Sequence, residues 1–232
     1  MTFDYGTVLF DVDGTLIDSN GAHASAWTQA LQHQGFRVRL EDVRRRIGMG
    51  GDKLLPAVAG IAEDSEEGKA VVSEKKAIFS SLLPALQSTP GARALVEHLA
   101  ASGVDLVIAT SADDKELDAV LTQAGVADLF PTRTSKDDAN ESKPDPDIVQ
   151  AALHKAQARP ERTVMIGDTP YDIEAAARAG IACVALRSGG GWSDSELFAA
   201  LALFDDPADL LDALLETGQG KQELCRMRGG MG

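Results

Sequence analysis

Four acidic residues, a lysine and two hydroxyl residues stand where a sheet would bring them together. Asp11 and Asp13, Thr110 and Ser111, and Asp168 each follow a short apolar run; Lys143 lies in a proline-rich stretch and Asp172 four residues after Asp168. Open α/β sheets bind ligands beyond the carboxyl ends of their strands, so these groups are expected to meet at one cleft. Four carboxylates there repel one another, and burying them uncompensated is costly. A hard divalent ion fits the all-oxygen set, and Mg²⁺ characteristically takes a few carboxylates plus a phosphate oxygen. The set holds no His or Cys, which argues against zinc. Lys143 supplies a second positive charge, and Thr110 with the backbone N–H groups near Val12, Asp13 and Ser111 can hold an anion. These are parts for phosphoryl transfer, which depends mostly on positioning and charge neutralisation.

The attacking group must then be found. There is no Gly-x-x-x-x-Gly-Lys-Ser/Thr loop and no Gly-x-Ser-x-Gly elbow, and Gly48-Met49-Gly50-Gly51-Asp52-Lys53 carries Lys53 where a dinucleotide loop needs its last glycine. A carboxylate remains, since aspartate can form an acyl phosphate. Of Asp11 and Asp13, one can attack phosphorus while the other protonates the leaving alcohol. The blander readings are an Asx-capped turn for Asp11 and Asp13, and a helix N-cap ahead of Pro170 for Asp168. Cys183, inside the apolar run 181–186, reads as a buried small hydrophobe, and Cys225 sits in a polar tail.

The elements that must position these groups are legible as runs and stripes. Thr7–Phe10, Val104–Ala109, Thr163–Ile166 and Ile181–Leu186 read as buried parallel strands, with a shorter fifth at Leu203–Phe204. Helical stripes lie between them over Gly91–Ser102, with Pro90 at the first helical position, and over Asp114–Ala124, Asp145–Ala156 and Tyr171–Ala179. The fold class is therefore α/β, a Rossmann-like parallel sheet flanked by helices. One interval breaks the alternation: Asp13 to Thr110 is 97 residues, far more than one crossover needs. It holds the stripes Ala22-Ala26-Trp27-Ala30-Leu31 and Val71-Val72-Lys75-Ile78-Phe79-Leu82 and no strand pattern. The expected organisation is a core of residues 1–18 and 89–216, a helical cap over 19–88, and a disordered tail over 217–232.

Composition removes several classes of function. Among 232 residues there are 22 Lys+Arg and 36 Asp+Glu, a net charge of −14. That excludes a general nucleic-acid binder and disfavours docking on anionic lipid. No stretch approaches the ~20 apolar residues of a membrane helix, and the N-terminus lacks leader features, so a reduced, cytoplasmic protein is expected.

The motifs together resemble the haloacid dehalogenase-like superfamily over roughly Thr7–Leu214. Asp11-Val12-Asp13-Gly14-Thr15-Leu16 is similar to its first motif, Val107-Ile108-Ala109-Thr110-Ser111 to the second, and Ser142-Lys143-Pro144-Asp145-Pro146-Asp147 to the third. Gly167-Asp168-Thr169-Pro170-Tyr171-Asp172 is similar to the fourth. The long insertion resembles the helical cap of the phosphoglycolate phosphatase and β-phosphoglucomutase-like branch. The resemblance implies an Mg²⁺-dependent phosphatase of small phosphorylated metabolites. Asp11 would attack phosphorus and bind Mg²⁺. Asp13 would act as general acid, then base, and give Mg²⁺ its backbone carbonyl. Thr110, Ser111 and Lys143 would hold the phosphoryl group, Asp168 would ligate the metal, and Asp172 would act on it through water. His23 matches a cap histidine of the mutases that faces the site, and Lys53 is a candidate for a substrate's anionic end. The alternatives are a phosphosugar mutase, a 2-haloacid dehalogenase and a non-catalytic binding module. The mutases carry an Arg in the loop where Gly48–Gly51 stands here, which favours hydrolysis.

Overall fold

The computed structural model describes residues 5–216. The tail expected over 217–232, with Cys225, lies outside the described residues, as do residues 1–4. Six strands form one parallel sheet: β1 (Thr7–Phe10), β2 (Asp105–Ala109), β3 (Thr132–Thr134), β4 (Thr163–Gly167), β5 (Ala182–Leu186) and β6 (Ala202–Phe204). Their order is β3-β2-β1-β4-β5-β6, and β1 pairs on its two sides with β2 and β4. The order reverses at β1, which opens a crevice at the carboxyl ends of the central strands.

Both faces of the sheet are covered, which is why its strands carry runs of apolar residues rather than alternation. Val8, Phe10, Ile108, Val164 and Ile166 pack on one face with Leu95, Val96, Leu117 and Val120, from α5 (Ala92–Ala101) and α6 (Asp114–Gln123). Leu9, Val107, Ala109 and Met165 pack on the other with Ile148, Val149, Ile173 and Ala176, from α7 (Asp147–Lys155) and α8 (Pro170–Arg178). Cys183 is buried in this second layer, and burial pushes its thiol well above the ordinary range. Strand β3 carries no apolar run and escapes a hydrophobicity reading. As an edge strand it bonds only to β2, and its sequence Thr-Arg-Thr alternates.

Between β1 and α5 the chain forms α1 (Asn20–His33), α2 (Leu40–Arg44), α3 (Gly51–Ala59) and α4 (Glu66–Leu82). Their inward side chains, among them Trp27, Leu31, Val43, Leu54 and Val71, make a cluster of their own. Ser65 caps α4 by accepting from the Gly68 N–H at 3.0 Å, replacing water at an otherwise orphan donor. Helix α5 starts two residues later than Pro90 suggests. Gly91 precedes it at φ 73°, and a Cβ there would lie 2.6 Å from the Ala208 backbone, so the close approach of another segment fixes the start. No helix among the described residues is long and apolar enough to cross a membrane.

Candidate active site

Three neighbouring strands deliver the floor of the site. Asp11 follows β1, Thr110 follows β2 and Asp168 follows β4. One oxygen from each of Asp11, Asp168 and Asp172 falls within 4.8 Å of the others, a spacing that suits a common cation. Asp168 is buried. Its Oδ2 accepts from the Asn20 amide at 2.7 Å, while its Oδ1 has no protein partner. A buried carboxylate oxygen without a donor is costly unless a cation neutralises it, and the all-oxygen donor set fits Mg²⁺. The Asp13 carboxylate lies outside this group. Its Oδ1 accepts from Ser19 Oγ at 2.5 Å and faces His23 Nε2 at 2.9 Å.

Lys143 is almost fully buried among these acids. Its Nζ donates to Asp11 and, at 2.7 Å, to Asp172 Oδ1. The other Asp172 oxygen accepts from the Thr169 N–H at 3.0 Å and from its hydroxyl at 2.6 Å. This reciprocal Thr169–Asp172 arrangement is a capping box at the start of α8. The helix cap is therefore Thr169 rather than Asp168, which leaves Asp168 free for the site. Thr110 is buried and its hydroxyl accepts from the Ala112 N–H at 3.2 Å; the Ser111 hydroxyl is buried with no protein partner.

The electrostatics divide the two motif-one aspartates. Burial raises Asp11; Lys143 pulls it back, but Asp172 and Asp13 add to the rise, and it reaches about 7. Burial, Asp172 and Asp11 likewise raise Asp168 well above the usual carboxylate range. Burial also raises Asp13, but His23, Ser19 and Lys75 outweigh it and bring the group down to about 2. Lys143 is raised: burial opposes its charge, but Asp11 and Asp172 overcome that cost.

A cavity of about 70 Å³ opens above Asp11 and Asp13, well below the ~300 Å³ of drug-sized pockets. Thr110, Ser111 and Ala112 line it from the core; His23, Trp27, Met49 and Lys75 line it from the helical insertion. His23 stacks on Phe79, with ring centroids 3.8 Å apart. Lys53 does not line this cavity. It pairs with Glu141 and, at 3.0 Å, with Asp145, acids of the core rim that lie within its reach. Gly48 and Gly50 do line it, and so close to the core that a Cβ would strike Thr169 at 2.9 Å and Ser142 at 2.6 Å respectively.

Several participants escaped the sequence reading. Asn20, at the start of α1, holds Asp168. Ser19 holds Asp13. At Gly189 a Cβ would lie 1.7 Å from Asp168 Oδ2, and its carbonyl accepts from Asn20 at 3.2 Å. Lys75 read as one more member of a buried stripe. The available signal was its charge: a lysine on an apolar helix face needs an acidic partner.

Residues 8–186 match the family described as haloacid dehalogenase-like hydrolase. A phosphorylated carbohydrates phosphatase of Thermotoga maritima is 32% identical over 179 residues, 75% of this chain and 81% of that one. A phosphoglycolate phosphatase of Rhodospirillum rubrum is 30% identical over 216 residues, 89% of this chain and 90% of that one. Among solved structures, a hydrolase from Pseudomonas syringae superposes with a TM-score of 0.85 at 31% identity, over 90% of this chain and 98% of that one.

Proposed function

The chain belongs to the haloacid dehalogenase-like hydrolases and is a phosphoric monoester hydrolase of that family; from that premise we propose that it dephosphorylates small metabolites through an aspartyl-phosphate on Asp11. The observation that carries this reading is the acid cluster that reaches the cavity at Asp11: three carboxylates, one with an unpartnered oxygen, two of them held by the buried Lys143.

Asp11 and Asp168 would hold Mg²⁺ through carboxylate oxygens and Asp13 through its carbonyl. Asp172, with one oxygen on Lys143 and the other on Thr169, is suited to positioning Lys143 and reaching the ion through water. The ion, when bound, neutralises the phosphoryl oxygens against the surrounding carboxylates. In the first step an Asp11 oxygen bonds to phosphorus, the ester P–O bond breaks, and the leaving oxygen takes a proton from Asp13. In the second, Asp13 takes a proton from water, the water oxygen bonds to phosphorus, and Asp11 is released. Against the rise from burial, His23, Ser19 and Lys75 hold the Asp13 carboxyl low, and His23, 2.9 Å away, is the neighbour suited to deliver its proton. Thr110 and Ser111, which line the cavity, would hold phosphoryl oxygens, and Lys143, bonded to Asp11, would supply positive charge to the same group.

Residues 19–88 act in this reading as a cap that excludes water during transfer and shapes the leaving-group side. Hydrolysis is favoured over sugar-phosphate isomerisation because the loop 48–51 brings Met49 and glycines to the cavity and no arginine to hold a second phosphate. The test is phosphate release from a panel of small phosphate esters with Mg²⁺. Hydrolysis that a chelator abolishes is expected; inertness towards every ester would refute the reading.

A further inference from the structure

The leaving-group wall of the cavity carries its own answer to what kind of alcohol it accepts. Lys75 is the one lysine or arginine among the described residues that line the cavity. Its side chain is 7% exposed, and its Nζ meets both oxygens of Glu116, at 3.0 and 2.9 Å. Glu116, 13% exposed, also lines the cavity, and it comes from α6 of the core while Lys75 comes from α4 of the insertion. The ammonium further sits 5.5 Å from the Trp27 ring centroid and 4.9 Å from that of Phe79. The one lysine of the wall is thus already neutralised and surrounded, and His23, the other basic group there, already faces Asp13.

We infer that this wall selects an uncharged, hydroxylated leaving group and rejects a carboxylate, with Glu116 as the specificity-determining residue; this rests on the phosphatase reading above. A carboxylate entering the cavity has three acids to face, Glu116, Asp13 and Asp11, and one lysine to claim. Claiming it strips the largely buried Glu116 of its partner, and breaking such pairs is expensive. A hydroxyl group makes no such demand. It accepts from the remaining Lys75 N–H or donates to a free Glu116 lone pair, and the pair stays intact. The Trp27 ring and Met49 offer apolar surface to the carbon chain of a polyol or sugar. Discrimination of this type comes from repulsion built against the wrong ligand as much as from attraction for the right one.

The test is a matched pair of substrates, 2-hydroxyethyl phosphate and 2-phosphoglycolate, which differ only in CH₂OH against carboxylate. With Mg²⁺, the wild-type protein is expected to show at least a tenfold higher kcat/KM for the hydroxyethyl ester. Glu116→Gln keeps the shape and removes the charge, so the ratio of the two kcat/KM values should move at least tenfold towards phosphoglycolate, chiefly through its KM. Glu116→Ser serves the same comparison if the glutamine variant does not fold. A wild-type protein that prefers phosphoglycolate, or a folded Glu116 variant with an unchanged ratio, overturns the inference and leaves the phosphatase reading standing. Failure to hydrolyse either ester, together with phenyl phosphate, overturns both.

Discussion

The acid cluster that ends at Asp11 and the wall of the cavity manage buried charge in opposite ways. In the cluster, Lys143 serves two of the three acids, Asp11 and Asp172, while Asp168 has the Asn20 amide on one oxygen and no donor on the other. On the wall, Lys75 and Glu116 match each other one to one. An unbalanced cluster in a water-poor place is a demand for a cation; a balanced pair demands nothing and resists being split. One chain therefore builds a site that calls for charge at the phosphoryl end and declines it at the other.

The largest expected effects come from changing the unbalanced side. Under the proposed aspartyl-phosphate route, Asp11→Asn should lower phosphate release by about 10³-fold or more, since no other group would replace the nucleophile. The same variant should raise the melting temperature at pH 8 without divalent cation. Asp11 titrates near 3.8 when unfolded and near 7 when folded, so the folded state holds its proton longer and loses stability as pH rises from about 4 to 7. Asn never pays that cost, so the gain should vanish at pH 4. A variant that is active, or less stable than wild type at pH 8, would break the contrast.

Lys143→Met should cost about 3 kcal/mol of stability at pH 8, measured by urea denaturation, because it leaves Asp11 and Asp172 without their cation. Activity should fall by at least about 10²-fold. Next comes the metal. Saturating Mg²⁺ should stabilise the protein by roughly 2–3 kcal/mol at about one hundred times its Kd. The sign with pH follows from the raised carboxylates: protons compete with the ion, so the thermal shift should be larger at pH 8 than at pH 5. A shift independent of pH would mean that the ion binds elsewhere.

His23→Ala should reduce kcat by about 10²-fold, the scale of a lost proton-transfer partner. Its mark should be a change in the acid limb of the pH–rate profile, because His23 leads the interactions that hold Asp13 down. The smallest effect is predicted for Lys53→Met, which removes partly exposed rim pairs with Glu141 and Asp145. It should cost no more than about 1 kcal/mol and leave kcat/KM unchanged for every substrate. A substrate-dependent loss there would move recognition from the wall to the rim.

How much of this could be read from the chain alone varied with the physics of each residue. The buried strands were legible because a sheet covered on both faces must be apolar along its length; β3 was not, because an edge strand escapes that demand. The grouping of Asp11, Thr110 and Asp168 followed from their place at strand ends. Asn20, Ser19 and Gly189 were invisible because they act through single contacts across long separations, and nothing local marks such a contact.

The sequence by itself determined the α/β alternation, the interval that interrupts it and the residues able to carry phosphoryl chemistry, because strand burial and residue type are local properties. Only the tertiary structure decided which acids share a cation and which keep a private partner. It sent Lys53 to the rim and Lys75 to the cavity, and it set Glu116 of the core against Lys75 of the insertion. The reason is that a charge's energy depends on what surrounds it, and those surroundings come from parts of the chain far apart in sequence.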